Sequence, residues 1–137
     1  MPKPQRGGRD RIASTQESRK VGKITTKVAT VLGLLQRRNQ PIMLGESNIK
    51  HMKETHPKEY KKYGKYIRQI ISQPDYVGID DEDGSIEYVK EFKVDGEHVK
   101  VAVRADKGDN TLFARTIYVL KPSRVENAIK TGRLKKV

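Results

Sequence analysis

Residues 85–120 read SIEYVKEFKVDGEHVKVAVRADKGDNTLFARTIYVL, and their pattern is the clearest indication of the fold class. Apolar and polar residues alternate within residues 85–94, 98–104 and 111–120, which is the pattern of half-buried strands. Asp95-Gly96 lies between the first two runs and is a strong hairpin signal, and residues 106–110 (DKGDN) provide a second turn. The stretch therefore predicts a three-stranded antiparallel meander.

A two-residue turn at Asp95-Gly96 sets the register of the first hairpin and hence its two faces. Val94 then faces Glu97, and the same side of the sheet collects the apolar residues Ile86, Tyr88, Phe92, Val99, Val101 and Val103 as a core face. The opposite side presents two cross-strand pairs of opposite charge, Glu87 with Arg104 and Glu91 with Lys100.

The third strand carries its apolar side at Phe113, Ile117 and Val119. Strand alternation then places Thr116 and Tyr118 on the free face, together with Glu87 and Arg104. The same alternation points Lys90 and Arg115 toward the core, where a lysine must extend its ammonium group to solvent.

Helical periodicity dominates the chain before the meander. We expect helices over Glu46–Thr55 and from Pro57 to a stop at Pro74, short strands at Pro41–Leu44 and Tyr76–Ile79, and a strand over residues 21–30. A short C-terminal helix starts at Pro122, and residues 132–137 read as a basic tail. The predicted class is α+β, with N-terminal helices packed on one face of an antiparallel meander sheet and a short C-terminal helix.

Length and charge define the domain and its partners. The 137 residues suit one domain over residues 21–137, preceded by a disordered basic arm at residues 1–20. Twenty-nine Lys and Arg oppose 17 Asp and Glu, which gives a net charge of +12. Such a balance favours a nucleic-acid partner, with an acidic protein or an anionic membrane as alternatives.

Several function classes are excluded or disfavoured by what the sequence lacks. There is no cysteine, which excludes disulfides, thiolate catalysis and cysteine-based zinc sites. The acidic turn at residues 79–84 (IDDEDG) does not match a calcium loop, and no metalloprotease, phosphate-loop or nucleophile-elbow motif occurs. We therefore expect no metal and no other cofactor. Because no apolar run approaches the roughly 18–20 residues of a membrane span, we expect a cytoplasmic protein.

The three histidines, His51, His56 and His98, are the natural proton-transfer groups in a chain that binds phosphates. Metal-free RNA cleavage needs a base, an acid and cations that stabilise the phosphorane. His51 and His56 differ by about 140° around a continuous helix, which makes them a poor pair on one helical face.

The stretch NIKHMKETHPKEYKKYGKYIRQIISQPDYVG, followed by SIEYVKEF, VKVAVR and LFARTIYVL, resembles a phage-associated RNase-like family. The family belongs to the barnase, EndoU, colicin and RelE-like superfamily, and the resemblance covers residues 21–137. It implies metal-independent endoribonuclease chemistry at the matching positions His51, His56, Lys90, Arg104, Thr116 and Tyr118. The expected nucleic-acid contacts are Lys58, Lys61, Lys62, Lys100 and Arg115.

The leading hypothesis is accordingly a toxin-like phage or mobile-element endoribonuclease that acts on RNA such as tRNA and has a cognate inhibitor protein. Two alternatives stay open. One is a non-catalytic nucleic-acid-binding protein on the same fold. The other is a phage protein that inhibits an acidic host protein.

Overall fold

The computed structural model describes residues 18–137, so the predicted arm lies outside the described residues except for its last three positions. The strands are β1 (Arg19–Lys23), β2 (Pro41–Leu44), β3 (Tyr76–Ile79), β4 (Ile86–Phe92), β5 (Glu97–Ala105), β6 (Leu112–Leu120) and β7 (Leu134–Lys136). The helices are α1 (Thr26–Leu32), α2 (Glu46–Thr55), α3 (Pro57–Tyr63), α4 (Ile67–Ser72) and α5 (Pro122–Lys130). Two 3-10 turns, Leu35–Arg37 and Gly64–Tyr66, complete the described elements.

The seven strands within residues 18–137 form one sheet in the order β1-β2-β6-β5-β4-β3-β7. Every neighbouring pair is antiparallel except β2 and β6, which run parallel over a short contact. The meander β4-β5-β6 is its centre, and the α+β class is confirmed. Among residues 18–137, no helix is both long enough and apolar enough to cross a bilayer.

The main core lies between one face of the sheet and α1, α3 and α4, and α2 contributes the buried Met52 to it. Tyr63, Ile67 and Ile70 are buried in it, and Tyr60 packs at its edge, so the helical stripe of tyrosines is core. The sheet contributes Ile86, Tyr88, Val99, Val101 and Val103, as the alternation predicts, while Phe92 is partly buried against the same cluster.

The hairpin register differs from the prediction by two residues. Phe92 faces Glu97 and Tyr88 faces Val101, so residues 93–96 form a four-residue turn. A shift of two preserves which side each residue faces, which explains why the predicted core set is correct although the turn is not. The predicted charge pairs are wrong, because Glu87 faces Ala102 and Glu91 faces His98.

A β-bulge interrupts β6. Ala102 faces Thr116, whereas the next residue, Val103, faces Ala114, which leaves Arg115 as the extra residue. Ala114 and Leu112 therefore enter the core. Phe113 faces Arg104 on the other side of the sheet. The predictions that Phe113 is a core residue and that Arg115 points toward the core are both wrong for this reason.

The two ends of the chain also differ from expectation. The region predicted as one strand over residues 21–30 instead contains the end of β1 and the start of α1. Thr25 caps this helix, because its side chain accepts a hydrogen bond from the Val28 N–H at 3.2 Å. β-Branched residues favour a strand there, but burial of Val28 and Ala29 in the core stabilises the helix. The supposed basic tail forms β7, which pairs with β3.

We predict that Gly78→Ala lowers the free energy of unfolding by about 1–3 kcal/mol, because overpacking against backbone is poorly relieved. A Cβ at residue 78 would lie 2.4 Å from the Arg133 carbonyl oxygen, where β3 meets β7. Gly108→Ala is the matched control, since the nearest side-chain atom lies 3.8 Å away, and it should stay within about 0.5 kcal/mol of wild type. Equal stability of the two variants in urea unfolding would contradict the close packing of β3 on β7.

Candidate active site

The sheet face opposite the main core is polar and forms the floor of two neighbouring pockets. The first, which we call the His51 pocket, has a volume of about 340 Å³ and is lined by Ser47, Asn48, His51, Asp83, Ser85, Ala102, Arg104, Arg115 and Thr116. The second, the α5 pocket, has a volume of about 420 Å³, and its lining includes Glu87, Lys100, Tyr118, Arg124 and Arg133. Thr116 and Tyr118 are two residues apart on β6 and join the two pockets along one face.

Both helical histidines serve this face because α2 ends between them. His56 has φ −137° and ψ 61°, which is not helical, and Pro57 starts α3 directly after it. His51 lines the first pocket with Thr116, while the His56 ring stacks on Tyr118 with centroids 5.2 Å apart and planes at 21°. The expectation that the two histidines make a poor pair assumed one continuous helix, whereas α2 ends at Thr55 and the His56 backbone is not helical.

Two arginines supply positive charge to the His51 pocket. Arg104 Nη1 donates to Asp83 Oδ2 at 3.0 Å. Hydrogen bonds from Ser85, aided by Arg104, hold the pKa of Asp83 below its ordinary value, so this carboxylate stays ionised. Arg115 donates from Nη2 to the Ala105 carbonyl at 3.3 Å. Its buried Nε has no partner within residues 18–137, a cost that a hydrogen-bond acceptor from a ligand would relieve.

A buried ion network underlies the α5 pocket. Glu87 is 3% exposed, and its carboxylate accepts from Lys100 Nζ at 2.8 Å and from Arg133 Nη2 at 3.1 Å. Arg133 also reaches Asp80 at 3.2 Å. Lys100 Nζ lies 4.6 Å from the centroid of the Tyr118 ring, within cation–π range. Glu87 thus holds a buried ammonium group against the tyrosine on which His56 stacks.

Lys100 remains a cation in this setting. Burial alone lowers its pKa, but hydrogen bonds to Glu87 and Tyr118 and the charge of Glu87 outweigh burial and raise the pKa above 10.5. A raised pKa contributes to folding stability below pH 10.5, and that contribution is lost as the pH rises through the folded-state pKa.

The structure brings together most, but not all, of the residues that the sequence singled out. Seven of the predicted site residues lie on the polar face: His51, His56, Lys100, Arg104, Arg115, Thr116 and Tyr118. Lys90 lies on the helix-covered side, where its Nζ donates to the Gln73 carbonyl at 2.9 Å. Lys58 and Lys61 are exposed on α3. Lys62 pairs with Glu97 at 2.9 Å and Asp95 at 3.5 Å, away from the polar face.

Sequence reasoning missed Arg124, Arg133 and the partners of Glu87. Arg133 lies in the basic C-terminal segment, where the sequence does not distinguish it from its neighbours. Only the pairing of β7 with β3 brings it to Glu87. An available signal was Glu87 itself, a carboxylate flanked by Ile86 and Tyr88 on a buried strand, which requires a cationic partner. Within residues 18–137, no cluster of three or more His, Asp or Glu side chains could hold a metal ion.

Histidines transfer protons near neutral pH, and arginine and lysine bind phosphate oxygens, so the polar face has groups that phosphodiester chemistry uses. The family model for the phage-Barnase-EndoU-ColicinE5/D-RelE like nuclease3 matches residues 19–127. The chain therefore belongs to this phage-associated nuclease family, which confirms the resemblance found in its sequence. No curated protein and no solved structure matches it. The family match spans β1 to most of α5 and ends before β7 and Arg133.

We predict that Glu87→Gln lowers the pKa of Lys100 relative to wild type, because burial persists while the carboxylate charge is removed. The measurement is a pH titration of the lysine Cε chemical shifts by NMR. Asp95→Asn removes a carboxylate from the exposed Lys62 on the other side of the sheet and should leave Lys100 unchanged. A Lys100 pKa that is the same in wild type and Glu87→Gln would contradict the role given to Glu87.

Proposed function

We propose that the protein is a metal-independent endoribonuclease, a toxin-like effector of a phage or mobile element, that cleaves RNA by attack of a ribose 2′-OH on the adjacent phosphodiester. One observation supports this proposal more than any other. The end of α2 directs His51 and His56 to the same strand face, beside Thr116 and Tyr118. Two histidines provide the base and the acid that this reaction requires.

The proposed reaction divides its tasks among these groups. One histidine accepts the proton of the 2′-OH as the 2′ oxygen forms a bond to phosphorus. The bond from phosphorus to the 5′ oxygen breaks, and the other histidine donates a proton to that oxygen. The products are a 2′,3′-cyclic phosphate and a free 5′-OH. Arg104 and Arg115 stabilise the charged phosphorane, and Thr116 donates a hydroxyl hydrogen bond to it.

Independence from metal ions follows from the same assignment. The histidines carry the protons and the arginines neutralise the developing negative charge, which are the two tasks that a metal ion otherwise performs. Dependence on RNA follows as well, because the nucleophile is the 2′-OH that DNA lacks. The partner expected for this face is thus an RNA strand.

A non-catalytic nucleic-acid-binding protein on this fold is the second candidate. The observation that favours it is the pairing of Arg104 with Asp83, which occupies one of the two arginines of the His51 pocket. In that case the polar face would bind RNA, the histidines would contribute contacts only, and no bond would break.

The test compares wild type, His51→Ala, His56→Ala and Lys90→Ala on tRNA and total RNA in excess EDTA. We expect wild type to leave 2′,3′-cyclic phosphate ends and each histidine variant to lose about 100-fold or more of the rate. Lys90→Ala is the control, because Lys90 lies on the opposite side of the sheet, and it should stay within a few-fold of wild type. Circular dichroism checks that all variants are folded.

A 2′-O-methylated copy of the same RNA should resist cleavage, since its nucleophile is blocked. Cleavage of that copy, or cleavage only with added divalent metal, would overturn the mechanism. Binding of RNA without cleavage by folded wild type would favour the second candidate. Histidine variants as active as wild type would show that the reaction takes place elsewhere.

A further inference from the structure

Apart from the two polar-face pockets, a groove of about 600 Å³ lies on the helix-covered side of the sheet. There, α3 and the Gly64–Tyr66 turn meet the β4–β5 turn. We call it the β-turn groove, and its lining includes Lys65, Tyr66, Phe92, Lys93 and Val94. Its floor is a cluster of rings, with the Phe92 centroid 4.7 Å from that of Tyr63 and 5.3 Å from that of Tyr66. The groove shares no lining residue with either the His51 pocket or the α5 pocket.

Val94 is the unusual residue of this groove. It is 99% exposed at the tip of the turn, whereas the other exposed large hydrophobic residues within residues 18–137 are Leu35 at 47% and Ile129 at 37%. The predicted register would have placed Val94 in the strand opposite Glu97, but the four-residue turn projects it into solvent. Beside the aromatic groove, this exposed aliphatic side chain extends the apolar surface.

The cations around the groove are partly neutralised and partly free. Lys62 is paired with Glu97 and Asp95. Lys65 and Lys93 are exposed, and no carboxylate within residues 18–137 forms an ion pair with either of them. Two carboxylates also line the groove: Asp95 is paired with Lys62, and Glu91 is in no ion pair within residues 18–137. The groove therefore combines an apolar centre with a net positive rim at Lys65 and Lys93, which is complementary to an acidic ligand that also has an apolar group.

We infer that the β-turn groove docks an acidic protein segment with a branched or aromatic anchor residue. The anchor packs against Val94 and Phe92, and its flanking carboxylates pair with Lys65 and Lys93. A nucleic-acid strand fits the groove less well, because base stacking needs open ring faces. Here the rings pack on one another, and lysine ammonium groups lie 5.2 Å from the Tyr63 centroid and 5.3 Å from the Tyr66 centroid.

Docking there leaves the His51 pocket open, since the groove shares no lining residue with it. The partner is accordingly a protein that is bound at the same time as the substrate of the polar face, rather than one that blocks that face. This inference does not depend on the ribonuclease proposal, because it rests on a different side of the sheet.

The test selects binders from a phage-displayed library of random 12-residue peptides on the immobilised full-length protein. We expect enriched peptides to carry acidic residues on both sides of an aromatic or branched apolar residue. The synthetic form of the most enriched peptide should bind Val94→Asp and Lys65→Glu about 10-fold or more weakly than wild type. Arg104→Ala, on the polar face, is the matched control and should bind it as wild type does. Both groove positions are exposed, and thermal unfolding verifies that the variants fold.

Three outcomes would overturn the inference. One is a selection that enriches no acidic peptide. Another is an enriched peptide whose affinity is unchanged by Val94→Asp. The third is that single-stranded oligouridylate displaces the peptide equally well from wild type and from Arg104→Ala. That result would assign the groove to nucleic acid.

Discussion

The buried carboxylate of Glu87 is the constraint on which the polar face depends. A carboxylate at 3% exposure is costly unless cations surround it, and Lys100 from β5 and Arg133 from the segment before β7 meet that need. The network ties the centre of the sheet to its edge strand. It also fixes the Lys100 ammonium against the Tyr118 ring, and Tyr118 in turn supports the His56 ring. A charge requirement inside the sheet thus sets the position of a proposed proton-transfer group.

Two local irregularities complete the site. The bulge in β6 exchanges the sides of the residues before it, so that Arg115 reaches the His51 pocket and Phe113 leaves the core. The non-helical backbone of His56 separates α2 from α3 and lets two histidines face one strand. Regular elements alone would have placed His51 and His56 apart and Arg115 in the core. The site therefore exists where strand and helix depart from their ideal repeats.

These departures also explain what could be predicted from the sequence. Strand alternation identified Ile86, Val99, Val101 and Val103 as core because the period of two is unaffected by a register shift of two. Alternation also predicts the face of Thr116 and Tyr118 correctly, because both residues follow the bulge together with the apolar Ile117. The bulge is not evident from hydrophobicity, because Leu112, Phe113 and Ala114 are all apolar. The register shift at Asp95-Gly96 depends on turn geometry that the dipeptide does not determine. The role of Arg133 could not be predicted from local sequence, because it depends on a contact with Glu87, which is 46 residues away in the chain.

The proposal that the polar face is the nuclease site is tested most directly by mapping where an unreactive RNA binds. A 2′-O-methylated oligonucleotide, titrated into ¹⁵N-labelled protein, binds without being cut and reports contacts through amide chemical shifts. We predict that the largest shifts fall at His51, Ala102, Thr116 and Tyr118, and that Tyr66 and Val94 are unaffected. Shifts confined to the β-turn groove, with the β6 face unchanged, would contradict the assignment of the polar face as the nuclease site.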